Sequence, residues 1–324
     1  SGFTGSAGSC FFLDDKKIFI TDGRYQEQSR REVIGFERII GAGPHEKILS
    51  REGTIRPGAK LGLEGDSVSI NQYRRLQSLF PGVTWESTSM IIENIAAVKD
   101  SAELEALRTA VEITDRVYAE ILPMIRLGVT EKYIAGLLAD RYRDYADGEA
   151  YPSIVAAGPQ SALPHAVPGD REIRAGDFIV IDAACKYAGY HADMTRTPVM
   201  APVAEWQKEI YGVVLEAQSR ACEAARAGIS CKEMDSIPRE IITDAGYGDH
   251  YIHSTGHGLG LEIHTYPRLS QQSTDVLREN NVVTVEPGIY LEGRGGVRIE
   301  DDLIIHRDSA EILNRTDKEF MILS

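Results

Sequence analysis

Two apolar strand-like runs, about a hundred residues apart, each run into a carboxylate and are followed by a second one. That pattern constrains the 324-residue chain more than any other. The first is Phe178-Ile179-Val180-Ile181-Asp182, a turn through Ala188-Gly189-Tyr190, then His191-Ala192-Asp193-Met194-Thr195-Arg196-Thr197. The second is Val282-Val283-Thr284-Val285-Glu286-Pro287-Gly288, a glycine-bearing loop (Gly293, Gly295, Gly296), then Val297-Arg298-Ile299-Glu300-Asp301-Asp302. A buried, unpaired carboxylate is heavily penalised by desolvation, so each acid needs a cation or strong donors. If Gly189-Tyr190 forms the turn, Asp182 and Asp193 fall on adjacent antiparallel strands and can share one ion. Asp182 capping a turn with Asp193 paired to Arg196 would also explain the first hairpin, and a salt bridge to Arg298 the second. Coincidence in both halves favours metal.

A third cluster is His253-Ser254-Thr255-Gly256-His257-Gly258-Leu259-Gly260-Leu261-Glu262-Ile263-His264. A helical H-x-x-x-H site is excluded, since each of the three glycines would cost a helix about 1 kcal/mol. The glycines also lack the order of a dinucleotide or phosphate-binding loop. The segment reads as loop or strand, and strand alternation over Leu259 to His264 would put Glu262 and His264 on one face. Four carboxylates and one imidazole form a mostly oxygen donor set, matched in charge to two divalent ions and suited to Mn²⁺, Co²⁺, Fe²⁺ or Zn²⁺ rather than copper or an iron–sulfur cluster. Such a pair supports metal-assisted hydrolysis.

At roughly 150 residues per domain, the length favours two domains. Residues 1–97 alternate short strands and helices: a hairpin over Cys10–Thr21, helices at Gly23–Val33, His45–Arg51 and Asn71–Phe80, and strands at Phe36–Ile40, Lys60–Leu63 and Thr84–Glu86. That is an α/β pattern. Residues 98–324 open at Lys99-Asp100-Ser101 with an N-cap ahead of a long helix to about Leu122. Helices at Glu131–Tyr145, Glu205–Ala227 and Met234–Ala245, the last interrupted early by Pro238, are interleaved with strands. The order implies a pseudo-symmetric α+β domain without a sequence repeat.

With 43% apolar and 26% charged residues the chain is an ordinary folded protein. Its net charge of −14 disfavours nucleic acid and anionic membranes as partners. No apolar run reaches the ~20 residues of a membrane span. Four cysteines without a CxxC pair fit reduced thiols and a cytoplasmic location. The start, Ser1 to Gly8 leading straight into a strand, suggests missing upstream residues.

These motifs resemble those of the pita-bread metallopeptidases of the creatinase and aminopeptidase P type, especially Xaa-Pro aminopeptidases and prolidases. The resemblance rests on Leu163-Pro164-His165-Ala166, the Asp182…Asp193-Met194-Thr195-Arg196-Thr197 hairpin and Gly256-His257-Gly258-Leu259-Gly260. Glu286-Pro287-Gly288-Ile289-Tyr290 and Gly296-Val297-Arg298-Ile299-Glu300-Asp301 add to it. Gly2-Phe3-Thr4-Gly5 and Thr21-Asp22-Gly23-Arg24-Tyr25 extend it to a creatinase-type N-terminal domain, so it spans nearly the whole chain. It implies a pita-bread catalytic domain (98–324) behind a smaller α/β N-terminal domain (1–97) lacking its first strand and helix. It also implies Asp182 and Asp193 on one metal, and Asp193, His257, Glu286 and Glu300 on the other, with Asp193 and Glu300 bridging. His165, His253 and His264 would surround the substrate. The expected catalytic groups are Glu286, His165 and His264, and the expected substrate contacts His253, Tyr290 and Arg298.

The leading function is release of an N-terminal residue that precedes proline, from small peptides with proline in second position. The alternative is a Xaa-Pro dipeptidase, and the alternative of another class a non-catalytic pita-bread module. Methionine aminopeptidase is disfavoured because that resemblance lacks the N-terminal domain. A homodimer is expected, with the Arg24 region bordering an active site. Three departures from the family pattern stand out: Ala184 where Gly is usual, Thr265-Tyr266 where an acid commonly follows the last histidine, and the shortened N-terminal domain. None removes a ligand.

Overall fold

The computed structural model describes all 324 residues as two compact units, Ser1–Ile91 and Ile92–Ser324. In the first, strand Gly8–Phe12 turns through Asp14–Lys16 into antiparallel Lys17–Thr21, which pairs in parallel with Glu37–Ile40. Lys17–Thr21 is the central strand and Ile18, Phe19 and Ile20 are all buried, which is why it reads as a continuous apolar run. A second parallel pair joins Lys60–Glu64 to Thr84–Thr88. Helices His45–Arg51 and Ile70–Leu79 cover a core of Ile18, Ile20, Ile48, Leu49, Leu76 and Phe80, and Ser69 with Gln72 forms a capping box on the second helix.

The second unit has two helix pairs, each backing a sheet. Helix Ser101–Ile121 starts at a capping box between Asp100 and Glu103, and Thr130 caps Glu131–Tyr145. Their apolar faces (Leu107, Val111, Ile134, Leu138) pack on Ile179 and Ile181. Those residues belong to strand Ile179–Asp182, flanked by Ile154–Ala157 and Thr195–Arg196. In the other half, Glu205–Ala224 and Cys231–Asp244 lie behind a five-stranded sheet. Its order is Thr265–Leu269, Gly256–Gly258, Val282–Val285, Asp301–Ile305, Ala310–Ile312. Val283, Val285, Leu303 and Ile305 meet Ala221, Ile229 and Met234 there. This is the expected α+β pita-bread arrangement, and a hairpin of Gly288–Leu291 with Gly295–Arg298 completes it.

Two local expectations differ from the structure. Helix Cys231–Asp244 begins at its Ser230 cap, earlier than Met234, and runs through Pro238 without interruption. Buried Met234 and Ile242 anchor the turns on either side, and the Asp235–Arg239 ion pair straddles the proline. Residues 259–264 are a bent loop, not a strand, so alternation does not order Glu262 and His264. Leu259 donates its N–H to Val282, after which the chain leaves the sheet.

Candidate active site

Strand alternation sorts each acid-bearing run. Ile179 and Ile181 point into the helix-backed core, while Val180 packs on Ala156 and Ala166 on the opposite face, and Asp182 shares that face two residues on. In the other half Val283 and Val285 face the helices, leaving Thr284 and Glu286 on the open side. Both open faces border one cavity of about 420 Å³ lined by Tyr151, His165, Asp182, Asp193, His253, His257, His264, Arg268, Glu286, Arg298 and Glu300.

The structure brings all five expected ligands to this cavity. Donor atoms of Asp193, His257 and Glu300 lie within 4.8 Å of one another. His257 Nε2 is 3.6 Å from Asp193 Oδ2 and 3.4 Å from Glu286 Oε1. Asp182 is joined to Asp193 by the Tyr151 hydroxyl, 2.5 Å from Asp182 Oδ1 and hydrogen-bonded also to Asp193 Oδ1. The Asp193–Arg196 pairing is absent, since Arg196 pairs with Asp301 at 2.7 Å. Each acid has a support: Thr195 Oγ1 donates to Glu300 Oε2 (2.6 Å), Thr284 Oγ1 to Glu286 Oε1 (3.3 Å), and Asp302 Oδ2 accepts the Asp193 N–H (2.9 Å).

The donor set fits divalent cations. Burial raises Asp193 and Glu300 well above the usual carboxylate range, their carboxylate neighbours add to it, and burial also raises Glu286. Such mutual repulsion is relieved by added positive charge. Burial pushes His257 down to about 4 and keeps its imidazole neutral. Nδ1–H donates to the Gly258 carbonyl (3.1 Å), leaving the Nε2 lone pair aimed at the carboxylates.

Glycine lets the strand carrying this histidine run so close to its neighbours. A Cβ on Gly256 would lie 2.0 Å from the Thr284 carbonyl oxygen, and one on Gly258 2.3 Å from that of Tyr266.

Tyr290 O–H donates to His253 Nε2 (2.9 Å) and accepts from Arg298 Nη1 (2.9 Å), while burial lowers the His253 pKa. Arg298 also donates to Thr195 Oγ1 and pairs with Asp182. His165 and His264 are exposed at the cavity, and the His264 ring packs edge-on against His257 with centroids 4.4 Å apart.

Sequence reasoning missed Tyr151 and Arg268. Tyr151 reaches its carboxylates across 31 and 42 residues of chain, with no local signal. Arg268 lies directly opposite His257 in the sheet register, lines the cavity and makes no ion pair. Its position four residues beyond His264 was the one available cue.

Comparison with known proteins agrees with this geometry. Residues 105–307 match metallopeptidase family M24 and residues 1–98 the creatinase/prolidase N-terminal domain. The chain therefore belongs to the M24 metallopeptidases, which makes it a hydrolase of the pita-bread fold. It is 38% identical over 312 residues to the Xaa-Pro dipeptidase of Pyrococcus furiosus, covering 95% of this chain and 87% of that one. It superposes on a Xaa-Pro dipeptidase from Bacillus anthracis with a TM-score of 0.94 at 38% identity, covering 99% of this chain and 90% of that one. An X-Pro aminopeptidase from Thermotoga maritima gives a TM-score of 0.91 at 38% identity, with 100% and 92% coverage.

Proposed function

We propose that this chain is a Xaa-Pro dipeptidase, cleaving two-residue substrates whose second residue is proline. The observation carrying this reading over an aminopeptidase is Arg268, a guanidinium without a carboxylate partner in an acid-rich cavity. It suits the free carboxylate of a dipeptide, which a longer peptide replaces by an amide. The dipeptidases of Pyrococcus furiosus and Bacillus anthracis support the same choice. A Xaa-Pro bond has no amide N–H, so a site built around carboxylate recognition gains an anchor that the scissile amide cannot provide.

In this reading Asp182 and Asp193 would hold one divalent ion and Asp193, His257, Glu286 and Glu300 the second, with Mn²⁺ or Co²⁺ first among the metals. When bound, the pair polarises the scissile carbonyl and supplies a nucleophile at neutral pH. Glu286 takes up the proton released on attack and passes it toward the proline nitrogen. His165 and His264, both exposed at the cavity, stabilise developing charge or donate a proton there. His253 and Tyr290, with Arg298 bracing the tyrosine hydroxyl, orient the substrate. Residues 98–324 carry the chemistry, residues 1–97 form the accompanying N-terminal domain, and the protein acts as a cytoplasmic homodimer.

The deciding experiment is a panel of Xaa-Pro and Xaa-Pro-Yaa peptides with metal-exchanged protein and its Arg268→Met variant. The dipeptides should be the better substrates, and the variant should raise their KM ~10-fold or more while leaving tripeptides nearly unchanged. Equal turnover of both lengths, indifferent to Arg268, would return the assignment to an aminopeptidase.

A further inference from the structure

Behind the site, an ion pair grips the turn between helix Cys231–Asp244 and strand Gly256–Gly258. Asp235 and Arg239 are one helical turn apart, and Asp235 is 0% exposed. The carboxylate accepts from Arg239 Nε (2.8 Å) and Nη2 (3.0 Å), from Thr255 N–H (2.8 Å) and Oγ1 (3.0 Å), and from Gln271 Nε2 (2.7 Å). Arg239 turns its remaining donors on the backbone, to the carbonyls of Tyr251 (3.1 Å) and His253 (2.8 Å).

These contacts reach the active site at two points. The His253 ring, whose own carbonyl Arg239 holds, meets the Tyr290 hydroxyl. Thr255, held by Asp235 at N–H and hydroxyl, accepts the Glu286 N–H at its carbonyl (2.8 Å). An exposed Asp–Arg pair four residues apart contributes little and fixes nothing around it. Here a planar fork bridges a buried carboxylate and two carbonyls of one turn, which a flexible point charge cannot do.

We propose that Asp235 and Arg239 are positioning residues that set the His253 ring against the substrate, acting through the backbone of residues 251–255. This rests on His253 being a substrate contact, as in the reading above.

The test is a double-mutant cycle on the metal-loaded full chain, with kcat, KM and metal content measured on a Xaa-Pro dipeptide for Arg239→Gln, Arg239→Lys, His253→Ala and the double variants. Arg239→Gln should raise KM ~10-fold with kcat and metal content little changed, and Arg239→Lys, which keeps the charge but cannot span both carbonyls, should fall between. In the His253→Ala background the same changes should shift KM less than ~2-fold, because residues acting through one group are not additive. If Arg239→Gln does not fold, the cycle with Arg239→Lys decides the matter. Equal KM increases in both backgrounds would overturn the proposal in favour of a general structural role. So would a normal KM in the Arg239 variants when His253→Ala alone raises it. If His253→Ala leaves KM unchanged, the substrate role of His253 falls and the positioning role falls with it.

Discussion

Arg298 of one half of the catalytic unit places Nη2 2.5 Å from Oδ2 of Asp182 in the other, across 116 residues of sequence. Both side chains are largely buried, at 4% and 13% exposure. The guanidinium is thus the cation that the protein itself supplies to Asp182. Breaking a buried pair typically costs ~3–5 kcal/mol. Arg298→Met should therefore lower the melting temperature sharply in chelator-treated protein and much less with metal, which restores positive charge beside Asp182. Equal losses in the two conditions would show that Asp182 does not face a metal.

Asp193 sits where both proposed ion sites meet, and His264 stands beside His257 without joining the carboxylates. Asp193→Ala is expected to lose bound metal and activity together, whereas His264→Ala should lose activity and keep its metal. Elemental analysis of the two purified variants separates these outcomes; a metal-free but folded His264→Ala would place that histidine among the ligands.

Glu286→Gln preserves size and one oxygen donor but cannot take up a proton. It should depress kcat by ~10² to 10⁴ with at most modest loss of metal. Near-normal kcat at full metal occupancy would refute the general-base role.

Lys99 is a buried cation in the same unit, 3% exposed, whose Nζ reaches only the Ala97 carbonyl at 3.3 Å. Burial pushes its pKa down to about 8. Because the folded value lies below the unfolded ~10.4, the unfolded chain binds the extra proton between those limits, and stability from this group rises with pH across that window. Below about 8 the protein carries the full cost of a desolvated ammonium. Lys99→Met should raise stability at pH 7 by roughly 2–4 kcal/mol and flatten the rise between pH 8 and 10, measured by urea unfolding. A destabilised variant with an unchanged pH slope would mean the ammonium is well solvated.

Much of the site was legible because an acid ending an apolar strand is a local contradiction that only a partner resolves. Asp182 and Glu286 announce themselves that way, and Asp193, Glu300 and His257 follow from the hairpins and glycines around them. The backbone elements were legible where periodicity and caps agree, as at Asp100 and Thr130. Tyr151 and Arg268 were not, because an aromatic hydroxyl and an arginine become informative only once distant strands bring the carboxylates to the one and withhold them from the other. The bent loop at 259–264 defeated a two-residue alternation because leaving the sheet is decided by strand partners, not by the segment itself. Pro238 misled for the same reason, since packing on both sides outweighs a missing hydrogen bond.

The paired glycines around His257 change what counts as a complete site. A chain keeping Asp182, Asp193, His257, Glu286 and Glu300 but bearing alanine at 256 or 258 would own every donor and still misplace one, because a methyl group cannot occupy space already held by the Thr284 or Tyr266 carbonyl. Counting ligands in a sequence would score such a chain as active. Absence of a side chain at two positions is as much a part of the proposed centre as the presence of five, and repurposing the scaffold by design must hold both fixed.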